Sequence, residues 1–490
     1  MQKPQAIVIG AGIAGLAVAV RLQLKGYAVR VFEANAYPGG KLTAFSQDGF
    51  RFDAGPSLFT MPQYVDELFE LAGKQPRDYF NYVRKEEVCR YFWDDKTRLT
   101  ASADAGQFAL NVEQALGVPE AVVRRKLAKS RLMYALAGKT FLEKPLHKLS
   151  TWFTADVFRA MIRLRQLAIF STMHNDNQHI LKHKKLVQLF DRYATYNGSD
   201  PYRAPGVLNI IPHLEYGIGT FIPVNGMHDI TLSIHRLAEE LGVQFSFGEK
   251  VHTIHVEQGK VSGVTTDKES VFAEVVVSNM DVVPTYKKLL PSQRAPQRTL
   301  SQERSSSGLV FYWGMKASFA ELGLHNIFFS EDYEKEFRDL FSSVVPSDDP
   351  TIYVNITSKD VPADAPAGCE NWFVMVNVPA NTGQDWDALI PAYKAVILNK
   401  LNRQLHVKLE ESIMCELVLS PVDIERNTSS MGGSLYGSSS NSRFAAFLRH
   451  KNESATLKGM YFCGGSVHPG GGIPLCLLSA RITASLINTP

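Results

Sequence analysis

Residues 6–33, AIVIGAGIAGLAVAVRLQLKGYAVRVFE, decide how the rest of the chain is read. Residues 6–9, AIVI, read as a short buried strand, the pattern Gly10-Ala-Gly12-Ile-Ala-Gly15 follows at once, and a helix runs from about Ala14 to Lys25. The three glycines have separable purposes. Gly10 permits a tight turn, Gly12 removes a side chain where a pyrophosphate must approach, and Gly15 lets the helix pack closely on the strand. The first helical turn, with Ile13 and Ala14, then presents unpaired N–H groups and a partial positive charge to the phosphates. After Gly26 the strand VRVFE ends on Glu33, followed by Ala34; eighteen residues past Gly15, this carboxylate is placed to hydrogen-bond ribose hydroxyls. An acid there disfavours a 2′-phosphate. Lys3 followed by an apolar run from Ala6 to Val20 also has the outline of a secretion signal. The fixed glycine pattern, the lack of a small-residue cleavage site and the second strand immediately downstream argue against it.

Two further glycine turns follow the acid, Pro38-Gly39-Gly40-Lys41 and Phe52-Asp53-Ala54-Gly55-Pro56-Ser57. NAD needs neither; a flavin, whose ribityl chain and ring continue past the pyrophosphate, needs such turns, and the other reading is two ordinary turns. GAGIAGL, the E-x4-PGGK block and FDAGPS resemble the flavin domain of the amine oxidase and phytoene desaturase superfamily. Their order is similar to that of the bacterial carotenoid desaturases. Lys41 stands where that family usually has arginine, which keeps the charge and loses the bidentate geometry.

The resemblance implies an α/β fold: a Rossmann-type FAD-binding domain of the glutathione reductase and monoamine oxidase kind, assembled from residues 1–100, 216–290 and 450–490. Residues 101–215 and 291–449 would form an α+β substrate-binding domain with a helical part suited to a membrane surface. The second stretch opens at Ile218–Ile230, where a strand breaks at a turn and a helix follows through about Leu241. Strands are expected at Val251–Val256, in a hairpin from Gly259, and at Val275–Asp281. Similarity to family members places the backbone of Val251 at the adenine, with the Ser278-Asn279 turn nearby; a plain β-meander is the alternative. In the third stretch, Gly459–Cys463 reads as a strand and a helix runs from Ile473 to about Ile487, with Pro474 tolerated in its first turn. Between them lies CGGSVHPGGGIP. A comparable segment in the family lies against the isoalloxazine ring, which implies contacts from Gly464, Gly465, Gly472, Ile473 and Pro474. The helix N-terminus would aim at the ring's N1 and C2 carbonyl and favour negative charge there by about 0.3–2 kcal/mol.

Composition sets the outer limits. At 490 residues, two or more domains are expected, and 45% hydrophobic with 21% charged residues describe an ordinary globular protein. The net charge of +3 is too small to argue for nucleic acid. Cys89, Cys369, Cys415, Cys463 and Cys476 are odd in number and scattered, which suits neither a disulfide framework nor a zinc site. Outside the N-terminal run no stretch reaches 18 consecutive apolar residues, so no membrane-spanning helix is expected. Between residues 121 and 190, fourteen Lys or Arg against three acids leave a local charge of +11. Within it, Trp152–Met173 is helix-like, with Phe153, Val157, Met161, Leu164 and Ala168 on one face and Arg159 and Arg163 roughly opposite. Such a helix either lies on an anionic membrane and admits a lipid-soluble substrate, or forms a solvated cationic face over an ordinary core.

Later blocks speak to the reaction. Asn197–Gly219, Ser305–Gly314, His325–Ser330 and Gly433–Arg443 are similar to the bacterial carotenoid desaturase branch, most of all to 1-hydroxycarotenoid 3,4-desaturases. The resemblance implies a double bond introduced next to a polyene by hydride transfer to flavin N5, in a substrate of the 1-hydroxy-gamma-carotene type. It further implies quinone or oxygen as electron acceptor, no metal, no nucleic-acid partner, and a cytoplasmic protein held peripherally on the inner face of the cell membrane. Loss of hydride leaves an allylic cation that the polyene delocalises, so little is asked of a protein base. His468, Asp200 and Glu215 are the candidates for it, each with a turn, capping or shaping role as the alternative. The aromatics of YATYN and LVFYWG either line a polyene tunnel or belong to the core. Other readings on this fold are a phytoene or diapophytoene desaturase, a carotenoid isomerase, a flavin amine oxidase, and a non-catalytic prenyl-protein escort.

Overall fold

The computed structural model describes residues 3–138, 142–144, 147, 164–343, 345, 347–442 and 449–490. Five short strands, β1 (Gln5–Ile9), β2 (Ala28–Glu33), β3 (Gln244–Phe247), β4 (Val275–Ser278) and β5 (Met460–Phe462), form one parallel sheet in the order β5-β4-β1-β2-β3. Ala6 of β1 sits between Val29 of β2 and Val275 of β4. The central strands β1 and β4 read as continuous apolar runs because both faces are covered, as parallel sheets require. One face carries helices α1 (Ile13–Leu24), α2 (Asp229–Glu240) and α3 (Ile473–Leu486). The first is apolar almost all round, with Ile13 through Val20 buried, because α3 packs on it from the other side. On the opposite face Ile7, Ile9 and Phe32 meet Ile254, Val261 and Val264 of a three-stranded antiparallel meander.

A second, seven-stranded sheet has the order Ile413–Leu419, Ser307–Met315, Glu370–Val378, Ile352–Ile356, His325–Phe328, Glu87–Phe92, Arg98–Ser102. Its strand Ser307–Met315 is buried at every position, so alternate residues serve two different interiors. Phe311 and Trp313 pack in a core shared with the long helix Trp386–Leu405, while Val310 and Tyr312 face the other way, toward Phe50 and Phe52.

Glu87–Phe92 and Arg98–Ser102 belong to the second sheet, where Phe92 pairs with Phe328 in parallel. Two strands inside the expected first segment, residues 1–100, thus hydrogen-bond into the second sheet and not the parallel one. The expected helix Trp152–Met173 lies outside the described residues up to 163, and the described remainder does not continue it. A short 3-10 turn, Leu164–Leu167, stops at Ala168 with φ +49°, and Thr172 caps a new helix, Met173–Leu181. Among the described residues no helix is long and apolar enough to cross a membrane.

Candidate active site

Between the two sheets lies a cavity of about 1210 Å³, larger than the 300–1,000 Å³ usual for one small ligand and so roomy enough for a cofactor and a substrate together. Its lining draws on all three stretches expected at the cofactor: Gly10, Gly12, Ile13 and Ala14; Glu33 and Ala34; Gly39, Gly40, Lys41, Gly55, Pro56 and Ser57; Val251 and Asn279; Gly464, Gly465, Gly472, Ile473 and Pro474. Gly15 and Ser278 do not line it. Gly15 faces the preceding turn, where a Cβ would stand 2.1 Å from the Gly10 carbonyl oxygen. Ser278 is the last residue of β4 and points into the core, its hydroxyl 2.9 Å from Thr285 Oγ1, so that Asn279 alone of the pair reaches the cavity. Asn279 also changes the reading of Gly12. A Cβ at Gly12 would stand 2.7 Å from Asn279 Oδ1, so the bare backbone there makes room for that carboxamide as well.

The polar groups of this half suit an extended anionic dinucleotide. Glu33 is buried, and its carboxylate accepts from the Ala11 N–H at 2.7 Å and from the backbone and side-chain N–H groups of Asn35, each at 2.9 Å. These bonds fix the carboxylate at the cavity wall. Two cations share the wall with no carboxylate among the described residues in hydrogen-bond contact. Lys41 Nζ donates to the carbonyls of Ser434 (2.7 Å) and Leu435 (2.9 Å), and burial lowers its pKa to about 8. Arg449 donates through Nη1 to the carbonyls of Tyr436 (2.8 Å) and Gly465 (3.1 Å), while its buried Nη2 has no partner among the described residues. Burial lowers this guanidinium to about 10. Nearby Asp281 is already engaged by Arg304. Cations at the wall whose hydrogen bonds, among the described residues, go to carbonyls create a demand for an anion. The three-stretch lining, the ribose-type acid and this demand together fit a flavin dinucleotide.

The sequence profile described as flavin containing amine oxidoreductase matches residues 13–488. The chain belongs to that family. It is 51% identical over 483 residues to a 1-hydroxycarotenoid 3,4-desaturase of Flavobacterium sp. (strain P99-3), covering 99% of each chain. It is 32% identical to a 4,4'-diapolycopene oxygenase of Methylomonas sp, covering 98% of this chain and 97% of that one. Among solved structures, an oxidoreductase from Methanosarcina mazei matches with a TM-score of 0.60 at 16% identity, over 97% of this chain and 99% of that one, which is a likeness of fold. The cofactor of this flavin family is FAD.

The other half of the cavity is walled by Val310, Tyr312, Phe373, Met375, Leu417 and Leu419 from the second sheet and by Leu208, Ile211 and Leu214 from the helical side. Of the aromatic blocks, Tyr196 and Tyr312 line the cavity, whereas Tyr193, Phe311 and Trp313 are core. The three candidate bases separate clearly. Asp200 is not at the cavity: its carboxylate accepts from the Tyr202 N–H at 2.8 Å and its carbonyl from Ala204, a buried turn that raises the carboxyl to about 6. Its bonds are those of a turn residue, the alternative set beside its candidacy as a base. Glu215 lines the cavity but is clamped, accepting from the Tyr193 hydroxyl at 2.6 Å and the Tyr196 hydroxyl, with Arg192 3.8 Å away. His468 also lines the cavity. Its Nε2 lies 2.9 Å from the Lys144 carbonyl, which only accepts, so Nε2 carries the proton and Nδ1 is the unprotonated nitrogen, with no partner among the described residues. Burial lowers its pKa to about 4, so the ring is neutral at pH 7.

Arg192, Arg449 and His325 carry polar chemistry that sequence reading alone missed. Arg192 donates to the hydroxyls of Tyr91 and Tyr196 and lies over three tyrosine rings. The only sequence signal was an arginine set among aromatics in DRYATYN. No group of metal-ligating residues occurs among the described residues.

Proposed function

We propose that this chain is an FAD-dependent carotenoid desaturase that introduces the 3,4 double bond of a 1-hydroxylated carotenoid. The observation that carries the reading is the 51% identity over the full length of a relative of that name, joined to a cavity whose apolar half continues directly from the cofactor half. FAD, when bound, supplies the hydride acceptor for the reaction. Gly10, Gly12, Ile13, Ala14, Gly39 and Gly40 would hold its pyrophosphate, Lys41 and Arg449 would balance its charge, Glu33 its ribose, and Val251 its adenine. Gly55, Pro56 and Ser57 on one side and Gly464 to Pro474 on the other would frame the ring.

The remaining work of the protein is positional. Tyr312, Phe373, Met375, Leu417 and Leu419 offer an apolar wall that holds a polyene against the ring, and removing such a chain from water supplies about 25 cal/mol per Å² of apolar surface buried. His468 presents an unprotonated Nδ1 at the cavity and is placed to take the proton that follows hydride loss. A ring of pKa about 4 is a weak base, which suffices when the cation is spread over a polyene.

Membrane contact is part of the proposal. The +11 charge between residues 121 and 190 supports a peripheral position on an anionic, cytoplasmic leaflet, from which a lipid-soluble carotenoid enters, with quinone or oxygen as the final acceptor.

The purified chain, reconstituted with FAD, should convert a 1-hydroxylated carotenoid to a product absorbing at longer wavelength, as one more double bond joins the chromophore. Failure to change the spectrum of any carotenoid, with FAD bound and quinone or oxygen supplied, overturns the reading.

A further inference from the structure

An imidazole in the cavity lining has a hydrogen-bond donor to spare. His325 is 5% exposed, begins the strand His325–Phe328 and lines the cavity. Its Nδ1 receives the Asn355 side-chain N–H at 3.2 Å, which can only donate, so Nδ1 is the unprotonated nitrogen. The Tyr353 hydroxyl, 2.7 Å from Nδ1, therefore donates to it as well. With its own proton committed, Tyr353 accepts from Ser57 Oγ, also 2.7 Å away. The direction of the chain is thus fixed, Ser57 to Tyr353 to His325, and it leaves Nε2–H as a donor with no partner among the described residues. Burial, together with the positive charges of Arg192 and Lys85, lowers this histidine to about 3, so neither the tautomer nor the neutral state changes over the working range.

A donor in the lining of the cavity becomes costly once an apolar chain excludes water from it, unless that ligand also meets the donor. The position says which ligand. Ser57 belongs to the Gly55-Pro56-Ser57 turn that lines the cofactor half, so two hydrogen bonds tie His325 to that turn. In a carotenoid with a hydroxyl on C1 that is desaturated between C3 and C4, only two carbon–carbon bonds separate the carbinol carbon from the reacting bond. Whatever recognises the hydroxyl must therefore sit beside the ring rather than at the far end of the tunnel, and Tyr353 ties His325 to the Ser57 turn proposed to frame that ring.

We propose that His325 is a specificity-determining residue: its Nε2–H donates to the hydroxyl oxygen of an alcohol-bearing polyene terminus, and Tyr353, anchored on Ser57, is the positioning residue that holds the ring in register. This rests on the desaturase reading above and adds the group by which substrate is selected. A buried donor rejects an analogue lacking the hydroxyl because the donor is then stranded without water.

The test compares kcat/KM for a 1-hydroxylated carotenoid with that for the same carotenoid bearing hydrogen in place of the hydroxyl, in FAD-loaded wild type, His325→Leu, His325→Gln and Tyr353→Phe. Binding of the hydroxylated product, read as a perturbation of the flavin spectrum, gives a Kd independent of turnover. The expected result is a preference for the hydroxylated substrate in wild type that falls about tenfold or more in His325→Leu. For the hydroxylated substrate the loss should appear in KM and in product Kd, with partial rescue in His325→Gln, while the analogue's KM falls in His325→Leu as the stranded donor is removed. Tyr353→Phe should lower the preference with a smaller effect on Kd, and it decides the matter if His325→Leu fails to hold FAD. An unchanged preference in the variants, or an equal fall for both substrates, overturns the proposal. Wild type that desaturates both substrates equally overturns it too and leaves the desaturase reading standing; wild type that converts no carotenoid removes both.

Discussion

The α-carbon of Gly15 is pressed against the Gly10 carbonyl so closely that a Cβ would stand 2.1 Å from that oxygen. The contact closes the turn between β1 and α1, and backbone on both sides leaves nothing that can swing away. Gly15→Ala should therefore lose about 1–3 kcal/mol or more of stability and retain little FAD, seen as a lower unfolding midpoint and a faded flavin band after gel filtration. A stable, yellow Gly15→Ala protein would show that the turn can relax.

Glu33 ties together the Ala11 N–H and both N–H groups of Asn35. Glu33→Ala strands the Ala11 N–H in the interior, which costs about 1–3 kcal/mol, and removes the acceptor proposed for the ribose. Glu33→Gln should retain most of the stability and lose mainly FAD affinity, measured by titrating cofactor-free protein. Equal affinity in Glu33→Gln and wild type would remove the ribose role.

The parts of the site that were legible in sequence are those whose partners are near in the chain or whose backbone is itself the signal. The turn at Gly10, the acid at Glu33 and the strand-to-helix passage through Gly464 and Gly472 belong to this class. What stayed hidden is made by side chains far apart: Arg192 reaches Tyr91 across 101 residues, and His325 meets Tyr353, which meets Ser57 across 296. Pattern failed for a different reason in Ser307–Met315. A strand buried on both faces shows no polar alternation, so nothing in LVFYWG says that Tyr312 takes the cavity and Trp313 the core. Likewise, Glu87–Phe92 reads as a strand, yet its sheet is decided by Phe328, on a segment with no local connection to it.

The Arg192–Glu215 pair gives a way to separate structure from catalysis. Both side chains are almost fully buried, and Tyr193 and Tyr196 complete the carboxylate's bonds. Glu215→Gln leaves the guanidinium without its counter-charge, and breaking a buried pair in this way costs about 3–5 kcal/mol. The expected phenotype is a large loss of stability in chemical unfolding, with kcat per folded, FAD-loaded molecule nearly preserved. A variant as stable as wild type but without activity would instead make Glu215 the proton acceptor.

His450 tests the pH dependence of the fold away from the cavity. Its ring packs on Phe462 and Tyr286, Nδ1 lies 2.7 Å from the Lys451 carbonyl, and burial lowers its pKa to about 4. An unfolded histidine titrates near 6.5. Between these values the unfolded chain binds a proton that the folded one refuses, so the stabilisation is complete above pH 6.5 and is lost as the pH falls toward 4. A difference of about 2.5 units at 1.36 kcal/mol per unit makes the loss about 3 kcal/mol. Burial also raises the Asp200 carboxyl, to about 6, so the informative quantity is the stability gap between wild type and His450→Gln. Glutamine retains a donor for the Lys451 carbonyl and takes up no proton. Urea unfolding should show wild type more stable at pH 7.5 and the gap closing by about 3 kcal/mol by pH 4. A gap that stays constant across that range would mean that His450 takes up its proton without leaving the fold.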